Sequence, residues 1–291
     1  MVNYLTLNRP FLVMGYDWER YGKHTDESRN EEDRRLAYEG ILSILEAHDE
    51  YEAPLTIFIL GKMLEIPMFR EFARMISRKY SVDYLDLQQH TYSHICIRDH
   101  SDKGIGAEID VMRNDIMRAS SLIYEVTGRQ CNGLASAHSF YRGLQGQKDR
   151  QRILIELGIE YLRSDARGPG DKRPAMVHDE MGKPRSPYFY DECGELLEIP
   201  GHGNSDNYLK HLSKMKPLKD WSINMELRDH ISFFDIAIKE SIPFAPLNHP
   251  WSIAMKDPET QVIRGLLKYA RTRNVEIVNY SHINRMFRER F

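Results

Sequence analysis

Leu55-Thr56-Ile57-Phe58-Ile59-Leu60-Gly61 is the stretch that decides the fold class. It is nearly continuously apolar, rich in β-branched and aromatic side chains, and leaves no polar face for solvent. Such a strand is buried on both sides, as strands are in parallel sheets covered by helices. Gly61 ends it, and Pro67 stands where a helix can open, with Phe69, Phe72, Met75 and Ile76 at helical spacing. A second strand follows over 82–87, which puts 88–94 at its carboxyl end.

The same alternation extends outward in both directions. Upstream, Phe11-Leu12-Val13-Met14-Gly15 reads as a buried strand running into Tyr16-Asp17-Trp18-Glu19. A polar stretch over 21–30 separates it from a helix over 31–48, with Leu36, Ile41, Leu42, Ile44 and Leu45 on one face. Downstream, 105–126 is the longest helical pattern, with Gly128 placed to stop it. Beyond it the spacing predicts a helix over 149–157, strands over 159–162 and 196–199, a helix over 231–240 and a strand over 243–247 halted at His249-Pro250. A helix over 262–270, a strand over 275–278 and a last helix over 283–288 complete the chain. The stretch 166–187, rich in Gly, Pro and charge, reads as a surface excursion. No Gly/Ser-rich linker divides the chain, so 1–291 reads as one domain. The expected fold is α/β, a single distorted or incomplete (β/α) barrel with a mostly parallel sheet; a doubly wound open sheet is the alternative. Neither GxGxxG nor GxxxxGK[ST] is present, so the usual dinucleotide and triphosphate signatures are missing.

Composition narrows the function classes. Hydrophobic residues make up 41% of the 291 and charged residues 29%, which excludes a wholly disordered or fibrous chain. Lys and Arg number 40 against 43 Asp and Glu, a formal net charge of -3, so nothing draws the whole chain toward nucleic acid. The three cysteines, Cys96, Cys131 and Cys193, form neither a CxxC pair nor a disulfide framework. No apolar run reaches membrane-spanning length, and the opening residues lack the basic head and apolar core of a signal peptide. These features lead to the expectation of a cytoplasmic protein with no integral membrane segment and no nucleic-acid partner; they leave the oligomeric state open.

The sharpest chemical signal is His90-Thr91-Tyr92-Ser93-His94, directly after the 82–87 strand. Two imidazoles four residues apart converge on one helical turn or in a curved loop, and neutral imidazole suits zinc and other transition ions. Two histidines making ordinary hydrogen bonds are the plainer alternative. Asp17 and Glu19 also follow a strand, and residues two apart on an extended segment share a face. Two histidines and one carboxylate make a three-ligand site with room for water, and leave the second carboxylate to take a proton. Trp18, Tyr92 and Trp251 could stack on a sugar ring or simply pack the fold.

On these residues the sequence resembles the polysaccharide deacetylase, or NodB-homology, family of carbohydrate esterases, as a divergent member. The 55–61 strand looks like the family's T-F-F-x-x-G segment, and 90–94 matches its H-[ST]-x-x-H metal motif. Tyr16-Asp17-Trp18-Glu19 resembles a D-x-D form of the acidic motif, with Glu in the second place. By that resemblance the chain is a single NodB-like catalytic domain in which Glu19, His90 and His94 hold one divalent ion, zinc. Asp17 is then the general base, although the two acids could exchange roles. Phe244-Ala245-Pro246-Leu247-Asn248-His249-Pro250 looks like the late strand whose histidine, His249, protonates the departing amine. Tyr161-Leu162-Arg163-Ser164-Asp165 loosely resembles the acidic motif that orients it, through Asp165. Leu197-Glu198-Ile199-Pro200-Gly201-His202-Gly203 resembles a substrate-side segment. One departure stands out: Ala135 occupies the place of an arginine that holds the base, with Arg142, Arg163 or His138 as stand-ins. The resemblance implies hydrolysis of an N-acetyl group on an amino sugar or glycan precursor. The alternatives are a degenerate deacetylase-like carbohydrate-binding protein and a metal-dependent hydrolase of another non-peptide amide.

Overall fold

Every residue of β3 (Leu55–Ile59) is buried, and the strand pairs in parallel with β2 (Gly15–Trp18) on one side and β4 (Leu85–Gln89) on the other. With neighbours on both edges and helices over its faces, it has no use for polar side chains. Replacing Ile57, fully buried in this strand, by Ala costs about 2–5 kcal/mol. Of the covering helices, α1 (Asn30–Glu50) packs Ile41 and Ile44 into the same core, and α2 (Pro67–Lys79) contributes Phe69, Phe72 and Ile76. Pro67 lies in the first turn of α2, where its missing N–H costs nothing. Met75, expected on the apolar face, is exposed instead. The computed structural model describes residues 2–20, 30–191, 193–212 and 220–290, so the polar stretch expected over 21–30 falls almost wholly outside the described residues.

The larger sheet continues from β4 through β5 (Gly133–Phe140), β6 (Tyr161–Asp165) and β8 (Leu197–Glu198) to β7 (Tyr188–Phe189). All its pairings are parallel except β7 with β8. A smaller parallel sheet holds β1 (Phe11–Val13) between β10 (Glu276–Val278) and β9 (Pro243–Phe244). The architecture is α/β with two sheets, the larger one mixed, and the strand pairing is mostly parallel, with β7–β8 the one antiparallel strand pair among the described residues. Only Met14 separates β1 from β2, and single backbone hydrogen bonds cross between the sheets. Asp17 N donates to Asn248 O (3.0 Å) and His202 N to Ala245 O (2.8 Å). Helices α3 (Ile109–Thr127), α4 (Lys148–Glu156), α5 (Asp206–Leu209), α6 (Ile223–Glu240), α7 (Pro250–Lys256), α8 (Gln261–Thr272) and α9 (Tyr280–Arg290) fill the connections. No helix among the described residues is long and apolar enough to cross a membrane.

Three departures from the expected elements have physical causes. Strand β5, Gly-Leu-Ala-Ser-Ala-His-Ser-Phe, carries small residues instead of β-branched ones. Its first residue must be small, because a Cβ on Gly133 would sit 2.0 Å from the Tyr161 ring. The strand expected over 82–87 begins only at Leu85, since Ser81 folds the chain into a turn closed by Leu85 N on Ser81 O (2.9 Å). As a result β4 runs to Gln89 and delivers His90 at its very end. Helix α6 begins well before 231, where Ser222 caps it by accepting from Met225 N (3.2 Å). Across 166–187 there is no α-helix; Ala175, Val177 and Arg185 are buried while Met176 and Met181 face solvent.

Candidate metal centre

The backbone brings the first candidate residues together before any side chain acts. Asp17 and Glu19 lie at and just past the end of β2, on one face, while Trp18 points the other way into Phe69 and Phe72. His90 is still held by the sheet through its N–H on Ile59 O (2.8 Å). His94 returns to the same point through a curved loop, not a helical turn, in which Thr91 and His94 both adopt left-handed φ values of 62° and 63°. Two such non-glycine residues cost about 1–3 kcal/mol each. Asp115 of α3 offsets that cost by accepting from Tyr92 N (2.7 Å), Ser93 N (3.1 Å) and Ser93 Oγ (2.5 Å). Gly61 lets the loop lie close, since a Cβ there would meet Tyr92 Cα at 3.1 Å.

Glu19, His90 and His94 each offer a ligand atom within 4.8 Å of the others. Glu19 Oε2 lies 2.8 Å from His94 Nε2 and 3.7 Å from His90 Nε2. That oxygen is buried and receives no aligned hydrogen bond. His90 Nδ1 faces the Ala135 carbonyl at 3.0 Å, and a carbonyl only accepts, so the proton sits on Nδ1 and Nε2 presents a lone pair. An orphaned carboxylate oxygen facing an imidazole lone pair is what a cation would satisfy, so the donor set fits a divalent metal ion.

Asp17 stands beside this group, its Oδ1 4.0 Å from His90 Nδ1 and paired with the Arg163 guanidinium. Arg163 is buried over the Phe58 ring, 4.8 Å from its centroid. Burial alone would lower its pKa, and Asp17 more than reverses that. The register places Arg163 directly opposite Ala135, on the next strand at the same height. Arg142, the other arginine offered as a stand-in, pairs with Glu180 (3.4 Å).

His249, after β9, points Nε2 at both carboxylates, 3.9 Å from Asp17 Oδ2 and 3.9 Å from Glu19 Oε1. Its Nδ1 is 2.6 Å from Asp206 Oδ1, and its backbone N donates to Asp206 Oδ2 (3.0 Å). Burial lowers the imidazole's pKa, but Asp206 outweighs it and the net shift is upward. Asp165, expected beside His249, is bound to Arg185 (2.5 Å) and accepts from Arg142 N (2.9 Å). It follows β6 straight into a buried ion pair, and the carboxylate that contacts His249 comes from α5.

Other residues fall into two groups. His138 closes the centre from β5, its ring 4.9 Å from that of His94, and burial pushes its pKa down to about 2. Trp251 donates to Glu19 Oε1 at 3.4 Å. Trp18 is core, its Nε1 on Ala37 O (3.1 Å), and Tyr92 is engaged with Glu65 (2.7 Å). His202 is buried, bonded to Arg185 O (2.8 Å) and stacked on Phe244. Asp206, Asp115 and the Trp251 bond to Glu19 were not foreseen. Only the order of residues before α5, a polar run with Ser205 ahead of an acid, hints at the first.

No protein-family model matches the chain, and no curated protein does. Solved structures match along nearly its whole length. A Mycobacterium smegmatis protein assigned as a polysaccharide deacetylase is 14% identical with a TM-score of 0.73, over 99% of this chain and 96% of that one. Puue allantoinase is 16% identical with a TM-score of 0.70, over 97% and 91%. A Pseudomonas aeruginosa PAO1 protein, also assigned as a polysaccharide deacetylase, is 15% identical with a TM-score of 0.68, over 97% and 92%. At such identities the likeness is one of fold: this chain has the α/β fold of these proteins, with a candidate His-His-Glu metal centre at its strand ends.

Proposed function

We propose that the protein is a metal-dependent amide hydrolase that removes an N-acetyl group from an amino sugar or glycan precursor. The observation that carries this reading is the orphaned Glu19 Oε2 among His90 and His94, flanked by one arginine-held carboxylate and one carboxylate-held histidine. In this reading 1–291 is one catalytic domain, and the crossing hydrogen bonds support strand ends arranged as the mouth of an incomplete barrel. Glu19, His90 and His94 would hold the ion, which we take to be zinc from the nitrogen-rich donor set, and it would supply Lewis acidity toward water and the amide carbonyl.

The remaining steps belong to this chain's own side chains. Asp17, fixed by Arg163, takes the proton of the attacking water as the new carbon–oxygen bond forms. His249, favoured in its charged form by Asp206, gives a proton to the amide nitrogen as the carbon–nitrogen bond breaks, because an unprotonated amine anion is a poor leaving group. Acetate and the free amine result. Arg163 on Asp17 weighs against the degenerate, binding-only reading, since it restores the base's partner that Ala135 lacks. A second reading, hydrolysis of another non-peptide amide, is favoured by the fold likeness to an allantoinase. Metal analysis combined with turnover of N-acetylated sugars and of small cyclic and linear amides tests both. Full turnover by protein stripped of its ion would refute the metal-dependent chemistry.

A further inference from the structure

Two residues beyond β6 the chain enters a strap whose ends meet. Gly168 N donates to Lys172 O (2.8 Å), and the two residues form an antiparallel bridge. Arg167 and Arg173 flank this isolated bridge, one on each arm of the strap, and like charges brought near each other are destabilising. Among the described residues neither guanidinium forms an ion pair. Arg167 Nη1 reaches only the Asp171 carbonyl (3.5 Å), and Arg173 Nη1 reaches the Asn207 amide oxygen (3.2 Å). Both side chains are half-buried yet open to solvent. Burial, then Arg167, push Arg173 down to about 9, so it remains charged at neutral pH.

The pair lies at the reacting end of the strands. Arg167 follows Asp165 at the carboxyl end of β6, the end at which β2 and β4 deliver Asp17 and His90. Asn207, which receives Arg173, neighbours the Asp206 that holds His249. Asp171, in the turn between the arginines, accepts from Tyr141 N (2.7 Å) and ties the strap to the end of β5. Two guanidiniums without an ion-pair partner among the described residues thus lie near enough for each to feel the other's charge, Arg173 over the Tyr208 ring (5.7 Å), next to the segment that holds His249.

We propose that Arg167 and Arg173 form an anion subsite next to the metal centre, which takes a phosphoryl or carboxylate group carried by the amide substrate. Planar guanidinium forks match the oxygens of either group, and an anion between them turns the mutual repulsion into attraction. The substrate is accordingly an acidic or phosphorylated N-acyl compound rather than a neutral sugar. The amide part rests on the proposed function; the anion site does not.

The test begins with calorimetric titration of inorganic phosphate into the metal-loaded full-length protein and its Arg167→Met and Arg173→Met variants. Each variant should bind phosphate about tenfold more weakly or worse, as expected for loss of a charge-assisted hydrogen bond. Without phosphate their melting temperatures should equal or exceed that of the parent, since one of two repelling charges has gone. Arg173→Lys should recover part of the affinity. Kinetics on N-acetylglucosamine 6-phosphate, N-acetylmuramate and neutral N-acetylglucosamine separate the phosphoryl from the carboxylate source. The methionine variants should raise KM for whichever charged substrate is used far more than kcat, and more than they raise KM for the neutral sugar. Equal phosphate affinity in parent and both variants overturns the proposal, as does a lower melting temperature with unchanged affinity. Arginine-dependent phosphate binding without turnover of any N-acyl sugar sustains the subsite and refutes the amide reading.

Discussion

The β2–β4 side of the candidate site and the β6–β9 side are assembled by different means. On the first, the candidate ligands Glu19, His90 and His94 come from two short strand-end segments set side by side by the parallel pairing of β2, β3 and β4, and their donor atoms lie within 4.8 Å. On the second, each candidate proton-handling group is held by an oppositely charged side chain: Asp17 by Arg163, 146 residues away, and His249 by Asp206, 43 away. Holding a metal ion requires donor atoms at fixed distances, which backbone register between strand ends can set. Holding a proton at a chosen site requires an opposing charge and exclusion of water, which only the assembled fold supplies.

That contrast can be broken most sharply at Asp17. Asp17→Asn should reduce turnover by about 10³- to 10⁴-fold while metal content is unchanged, whereas His90→Ala or His94→Ala should lose the ion itself. Metal analysis of the three purified variants checks this, and loss of metal in Asp17→Asn would make Asp17 a ligand. Next, Asp165→Asn leaves Arg185 as a buried unpaired charge and should cost about 3–5 kcal/mol in urea denaturation, with kcat per folded molecule near normal. A large fall in kcat with stability intact would return Asp165 to the proton machinery.

A smaller effect separates amide from ester chemistry. Asp206→Asn, like His249→Ala, should slow an N-acetyl substrate about a hundredfold but hardly affect an activated acetate ester, whose leaving group needs no proton. Equal losses on both substrates would reduce His249 to a binding or structural residue. Acid should act on both sides of the molecule. His48, bonded to Tyr16, has its pKa lowered by burial from 6.5 to about 4, and burial likewise brings His230 on α6 to about 4. Below the ordinary value the unfolded chain takes up a proton that the folded one refuses. Stability therefore falls as pH drops from about 6.5 toward 4, with His48 contributing about 2 kcal/mol of loss between pH 7 and pH 5. Urea midpoints across that range measure it; a flat profile would contradict the buried neutral imidazoles. Least of all, Gly128→Ala should cost about 1 kcal/mol, because the residue closes α3 at φ 72° with open space around it.

What could be read in advance follows the same division. The α/β alternation was legible because apolar runs such as 55–60 and helical faces such as Phe69, Phe72 and Ile76 report burial directly. Strand β5 was not, because its small residues answer to Tyr161 on the neighbouring strand rather than to their own propensity. The three candidate metal ligands were legible since Glu19 and the 90–94 stretch each follow a recognisable strand. Asp206 was hidden: it sits in a short polar run whose meaning depends on where β9 delivers His249. Asp165 misled for the converse reason. It occupies a strand end, yet Arg185 returns along the chain to claim it.

The pairing of Ala135 with Arg163 has a consequence for how such sites change over time. Neighbouring parallel strands present side chains in rows, roughly 4.8 Å apart, at equal height on the same face. An arginine is long enough to reach the same carboxylate from either strand, so such a position can shift sideways while the carboxylate keeps its partner. A residue missing from its usual place in a strand is then better sought across the row than along the chain. Ala135→Arg in an Arg163→Ala background would carry the guanidinium across by one strand, and recovered turnover would show that the row, rather than the strand, holds the carboxylate's partner.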